Sequence, residues 1–324
     1  MEFSFRKKKK ERAGLFVDRD NFRYISLVGD EGHMEVVNSV SAKLPEYMNA
    51  ERGEDSDIAE VSREKIFRNI SESIGDIKIP VNLAIPPSDS LLRIVPLPDM
   101  PLNEAKMAFR YDYERYFPFP VDEAVFDMAP IVYPMQGGGE EKRFIVASTR
   151  KSLVTEIMNA ASSQGIDVAC IEPAQIALER AVCPKIPCCD AAVYVYAGKK
   201  NSVILLSWKG SGIFYRSISD GMENAPAFEY EDTSEDRPEY GFVKEVRSSL
   251  QFALSQIRGF EPAGMFLFGP GADERLSKYM KEMIDISSVI VTDPINIHGI
   301  EFYGKNDEQA AGWDIPIGLA MRHQ

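Results

Sequence analysis

The side chains that usually carry chemistry are few here, and they lie far apart. His33, His298 and His323 are scattered along the 324 residues, so a histidine-based metal site or a Ser-His-Asp triad has little raw material. Cys170, Cys183, Cys188 and Cys189 form no pair of C-x-x-C hooks with histidines nearby, and they read as buried or idle thiols rather than a zinc site. Gly137, Gly138 and Gly139 sit between two alternating runs with no helix to follow, which makes them a hairpin tip and not a phosphate loop. Arg6, Lys7, Lys8, Lys9, Lys10 and Arg12 crowd the start of a chain whose net charge is −13. The remainder is therefore strongly acidic, and a phosphate-neutralising face for nucleic acid is not expected. The basic tail has two readings: weak attraction to an anionic membrane surface, or a solvated terminus.

These residues must be positioned by a chain long enough for two lobes, with 44% hydrophobic and 27% charged residues. Ala13 to Val17, Phe22 to Val28 and Glu35 to Val40 read as a β-meander; a helix over Ser56 to Gly75 and a strand over Pro80 to Ile85 follow. Prolines 86, 87, 96, 98 and 101 punctuate a strand and introduce a helix from Leu102 to Tyr116, stopped by Pro118 and Pro120. Strands over Ala124 to Tyr133 and Lys142 to Ser148 come next, then a helix over Lys151 to Gln164. The strand Ile166 to Ile171 and a helix from Pro173 to Val182 follow it. Ala191 to Ala197, Ser202 to Trp208 and Gly212 to Ser217 repeat the opening meander. Glu223 to Glu239, with seven acidic residues and one arginine, reads as a solvated loop. A helix over Val243 to Ile257, the strand Met265 to Phe268, a turn and helix, and the strand Val289 to Val291 complete the pattern, before Trp313 to Met321 crosses back as an apolar segment. No stretch approaches the apolar length of a membrane helix, and Met1 to Phe5 is too short for a signal-peptide core, so a cytoplasmic location is expected.

Four segments in order resemble the PilM family of type IV pilus assembly proteins. Arg110, Glu114, Arg115 and Tyr116 lead into Phe117-Pro118-Phe119-Pro120 and then Glu123 to Asp127, similar to the family's acidic helix, its I-P-F-P turn and following strand. Thr149 to Ala181 resembles its helix, glycine and strand ending in an acidic residue, here Glu172, before an Ala-Leu-x-Arg-Ala helix. Glu245 to Phe252 and Ile317 to Arg322 are similar to its E-I-x-x-S-L-x-F and I-G-L-A-x-R segments.

The resemblance implies an α/β, actin-like (ribonuclease H-like) duplicated two-lobe fold with an inserted α+β subdomain. Residues 1–12 are then a tail, 13–85 and 149–187 the first lobe, 86–148 the insertion, and 188–324 the second lobe. It also implies a cytoplasmic scaffold beneath the inner membrane, whose partner is the N-terminal cytoplasmic tail of a PilN-like membrane protein. Arg110, Glu114, Tyr116, Phe117, Pro118, Phe119 and Pro120 are the residues expected at the partner groove. Phe119 reads equally as ordinary core, and Arg110 and Glu114, four apart, read equally as a pair with each other.

A gapless overlay on the family's nucleotide turns puts Phe16 on a carboxylate position and Asp18 on a glycine. A slip of two puts Asp18 on the carboxylate position and Asp20 on the glycine, and Tyr196 replaces the second carboxylate beside Gly198 and Lys199. Gly269 and Gly271 keep part of a third, adenosine-side turn, which a structural turn explains as well. Those losses predict no cofactor and no ATP hydrolysis, since phosphoryl transfer depends on positioning and charge neutralisation. Weak binding of ATP with Mg²⁺, through Lys199 or Lys200, stays open. An actin-like ATPase, the cytoplasmic part of a type II secretion platform, and homo-oligomerisation are the alternatives carried forward.

Overall fold

The computed structural model describes residues 10–18, 21–30, 32–44, 56–134, 141–183, 190–199, 201–218, 239–302 and 312–322. The basic residues 6–9, Cys188, Cys189, the three glycines 137–139, Lys200 and most of the acidic loop lie outside them. In chain order the first half holds β1 (Arg12–Val17), β2 (Asn21–Asp30), β3 (His33–Lys43), α1 (Ser56–Ile74), β4 (Val81–Ile85), β5 (Leu91–Pro98), α2 (Leu102–Asp112), β6 (Ala124–Ile131), β7 (Glu141–Arg150), α3 (Lys151–Ser163), β8 (Val168–Pro173) and α4 (Ala174–Val182). The second half holds β9 (Ala191–Tyr196), β10 (Ser202–Trp208), β11 (Ser211–Ile218), α5 (Glu239–Gln256), β12 (Met265–Phe268), α6 (Glu274–Met283), β13 (Val289–Val291), α7 (Pro294–His298), β14 (Ile300–Glu301) and α8 (Asp314–Ala320).

Two large sheets repeat one topology. The first runs β14-β3-β2-β1-β4-β8 and the second β11-β10-β9-β12-β13, so in each an antiparallel meander is extended by parallel strands beside its first member. β4 is buried along its whole length and β9 along nearly all of it, because both sheets are covered on both faces and their central strands must be apolar on both sides. Leu15, Phe22 and Leu83 face a core closed by Phe67 and Ile70 of α1 and Ile157 and Ala161 of α3. Val193, Val195 and Leu206 face the second, closed by α5 and α6.

Between the two sheets lie α4 and α8. Ala177, Leu178 and Ala181 pack with Ile315 and Leu319, with Phe16 and Ala84 from one sheet and Tyr194, Leu205 and Phe266 from the other. The helices cross so closely that a β-carbon on Gly318 would stand 1.9 Å from the carbonyl oxygen of Ala177.

A third sheet, β5-β7-β6, carries α2 and a separate aromatic core of Phe109, Tyr113, Phe117, Phe119 and Phe144. α2 ends at Asp112, four residues short of the predicted Tyr116, and tightens into a 3-10 turn over Tyr113–Arg115 before Pro118. The last segment corrects the expected partition, in which 188–324 formed the second lobe. β14 pairs in parallel with β3, and Trp313, Ile317 and Ala320 pack on Ile25 and Leu27, because α8's apolar side is covered by the first sheet.

Candidate functional site

Two concave regions meet at α4 and α8. One is the cleft between the lobes, where the turns after β1, β9 and β12 converge. Phe16 is buried against α4, α8 and the second sheet. The Asp18 amide donates to Asn21 O at 2.8 Å, closing the hairpin. At the end of β9 the Tyr196 ring lies 5.6 Å from Phe268. It fills the space beside two glycines: a β-carbon on Gly198 or on Gly269 would come within 2.8 Å of it. Gly269 also needs its freedom for a φ of +98°. The Gly271 amide donates to Ala197 O at 2.9 Å, which ties the second turn to the third and leaves that amide satisfied. Lys199 is exposed.

The electrostatics of this cleft are dominated by burial and by carboxylates. Burial, then Asp314 and Asp18, push the Tyr196 hydroxyl well above its ordinary range, against the pull of Arg23. Asp314, at the start of α8 and 3% exposed, is pushed up to about 7, chiefly by burial, with Asp293 adding to the rise and Arg23 opposing it. Neither Arg23 nor Asp314 stands out in the sequence, since 291 residues separate them and only the return of α8 to the first sheet brings them together. Among the described residues no group of three or more His, Cys, Asp or Glu side chains is placed to hold a metal ion.

The second concavity is a groove of about 320 Å³ between the three-stranded sheet and β8. Val125 to Ala129 of β6 form one wall and Cys170 to Pro173 of β8 the other, with Ile176 and Arg322 at the α4 and α8 side. Among the described residues β6 and β8 each pair with a strand on one side alone, and on β6 the Met128 amide donates to Asp127 Oδ1 at 2.8 Å while Val125 O accepts from Ser148 Oγ at 3.4 Å. One end of the groove is held by an ion cluster around a buried carboxylate. Glu172, 5% exposed, accepts from Arg180 at 2.6 and 2.9 Å and from Arg322, while Arg180 also donates to Gly318 O at 2.8 Å. Ser90 donates to Gln175, and Gln175 to Ser217, joining the insertion, α4 and the second lobe through one chain of hydrogen bonds.

None of the seven residues expected at a partner groove lines this one. Phe117 and Phe119 are buried, at 3% and 8% exposure. Phe117 stacks on Tyr113 at 4.8 Å, and Phe119 lies under the Arg150 guanidinium at 5.1 Å. Those two side chains are thus withdrawn from contact, because the prolines flanking Phe119 turn the chain back onto its own aromatic core. Tyr116 is half-buried beside Phe109, whereas Pro118, Pro120 and Glu114 are exposed. Arg110 reaches Asp122 at 3.4 Å rather than Glu114, an exposed pair of small energetic weight.

A family model described as type IV pilus assembly protein PilM matches residues 18–194. The chain belongs to the PilM family. A solved structure described as the PilM-PilN type IV pilus biogenesis complex aligns with a TM-score of 0.75 at 20% identity, covering 97% of this chain and 98% of that one. A Bacteroides thetaiotaomicron protein with an actin-like ATPase fold and unknown function aligns with a TM-score of 0.53 at 13% identity, over 99% and 100% of the two chains. Comparison with curated proteins gives no match. The fold of this PilM-family chain is therefore actin-like, the repeated meanders being its two lobes and α4 and α8 the helices that cross between them. No helix among the described residues is long and apolar enough to cross a membrane.

Proposed function

We propose that this chain is a scaffold of the type IV pilus inner-membrane assembly platform that docks the N-terminal cytoplasmic tail of a PilN-like membrane protein. The observation that carries the reading is the groove, lined by apolar side chains with a charged end and bordered by two strand edges that pair on one side alone. An extended peptide satisfies such an edge with its main chain while alternate side chains enter apolar pockets. The solved complex that aligns over nearly the whole chain contains PilN, which supports the choice of partner. In this reading the chain works on the cytoplasmic side of the inner membrane and is held there by its partner, with Arg6, Lys7, Lys8, Lys9 and Lys10 adding attraction to anionic lipid.

The same reading makes the interlobe cleft structural and the protein no ATPase. ATP with Mg²⁺ does not fit the residues present: the Tyr196 ring takes the space beside Gly198 and Gly269, the Gly271 amide is spent on Ala197, and Phe16 stands where the resemblance puts a carboxylate. The second reading, an ATP-binding protein, draws on Lys199, which is exposed beside the second turn.

Calorimetric titration separates the two. A peptide of the PilN-like tail is expected to bind saturably to the full chain and to lose binding to Ala129→Trp, which blocks the groove from its exposed wall. ATP with Mg²⁺ is expected to give no saturable heat. Tight nucleotide binding with metal-dependent phosphate release, and no response to the peptide, would replace the scaffold with the enzyme.

A further inference from the structure

The groove's polar end carries a residue whose guanidinium is only partly used. Arg180 holds both oxygens of Glu172 and also donates to Gly318 O at 2.8 Å, so its fork is committed inward. Arg322 donates to the same carboxylate, and among the described residues Glu172 is the acceptor its guanidinium reaches. The side chains of Glu172, Arg180 and Arg322 are 5%, 23% and 39% exposed. The Glu172 carboxylate is shared between two guanidiniums, and the more exposed of them, Arg322, lines the groove with the apolar Ile171 and Ile176. The nearest counter-charge across the groove, Asp127 on β6, is paired with Lys106 at 2.6 Å.

On the docking reading above, we propose that Arg322 selects the docked peptide by donating to a side-chain carboxylate or amide oxygen next to the apolar residues seated on Ile171 and Ile176. Glu172 and Arg180 are positioning residues, which hold the fork in place before the peptide arrives. A charge-assisted bond of this kind, partly withdrawn from water, corresponds to about a tenfold or greater difference in affinity. Lysine supplies the charge without the planar fork and replaces arginine only in part.

The test is selection of short phage-displayed random peptides on the full chain, keeping those that lose binding to Ala129→Trp. The selected peptides are expected to share an apolar pair with Asp, Glu, Asn or Gln at a fixed spacing. Synthetic copies should bind Arg322→Met about tenfold more weakly and Arg322→Lys at an intermediate level. Alanine at the peptide's acidic or amide position should cost the same on the native chain and nothing further on Arg322→Met. Arg322→Met keeps the Arg180–Glu172 pair, and an unchanged melting temperature verifies its fold. Groove-dependent peptides that lack such a residue, or that bind Arg322→Met equally well, overturn the role of Arg322 while leaving docking intact. Absence of any peptide sensitive to Ala129→Trp would remove the docking reading and this inference with it.

Discussion

At neutral pH the carboxyl of Asp314 is divided between its two protonation states, since burial raises it from the ordinary 3.8 to about 7. The consequence for stability has a definite sign. Between pH 4 and 7 the unfolded chain releases this proton while the folded chain keeps it, so stability is lost as pH rises, until the loss levels off above the folded value. Tyr196, Arg23 and Asp293, the N-cap of α7, are the groups that act on it electrostatically. Asp314→Asn removes the titration while keeping the shape. The variant is expected to melt several degrees above the native protein at about pH 8 and level with it at about pH 4. Equal shifts at both values would place the effect elsewhere. At this scale the sequence revealed the substituents and not their arrangement. Phe16 and Tyr196 could be named by type from the sequence, whereas Arg23 and Asp314 are brought together across most of the chain and Arg322 reaches Glu172 across 150 residues.

The elements were easier to read. β1, β9 and β10 stand out because strands covered on both faces need continuous apolar runs, whereas the largely exposed β3 shows only scattered apolar residues. α7 and β14 were missed for different reasons. α7 is announced by Asp293 as its N-cap, Pro294 at its first position and Gly299 beyond its end, but it is only five residues long. β14 has two residues, too few for any alternation, and is defined only by pairing with β3. The helix crossing gives the sharpest test of element packing. Gly318→Ala forces a methyl against the Ala177 carbonyl, which cannot move unless α4 moves, and should cost ~3 kcal/mol in denaturant unfolding. A change within experimental error would show that the helices part readily. In the three-stranded unit, Phe119→Ala should cost ~3 kcal/mol through loss of core. Arg110→Ala, at an exposed pair, should stay within about 0.5 kcal/mol. Neither should alter peptide affinity by more than about twofold, since neither residue lines the groove. A large affinity loss in either, with stability intact, would restore the expectation that this segment touches the partner.

For the whole molecule, an actin-like pair of lobes is used here as a frame that fixes a third sheet against an open strand edge. Prolines from Pro86 to Pro101 accompany the passage of the chain from the first sheet to the three-stranded one. That the insertion's β6 edge and the β8 edge of the first lobe border one groove was not legible, because the sequence does not show which edges stay unpaired. Ile131 and Tyr133, just past the groove wall, also pack against the second lobe's core, so the insertion is braced from both sides. The central claim is that partner docking happens in this groove. Site-specific photo-cross-linking in cells tests it most directly, with p-benzoylphenylalanine placed at exposed Val132, just past the groove wall, and at exposed Phe252 on α5, and the cross-linked peptides sequenced. Adducts from position 132 to the N-terminal cytoplasmic tail of a PilN-like membrane protein, and none from position 252, are predicted. Adducts to that tail from position 252 with none from position 132 would contradict it.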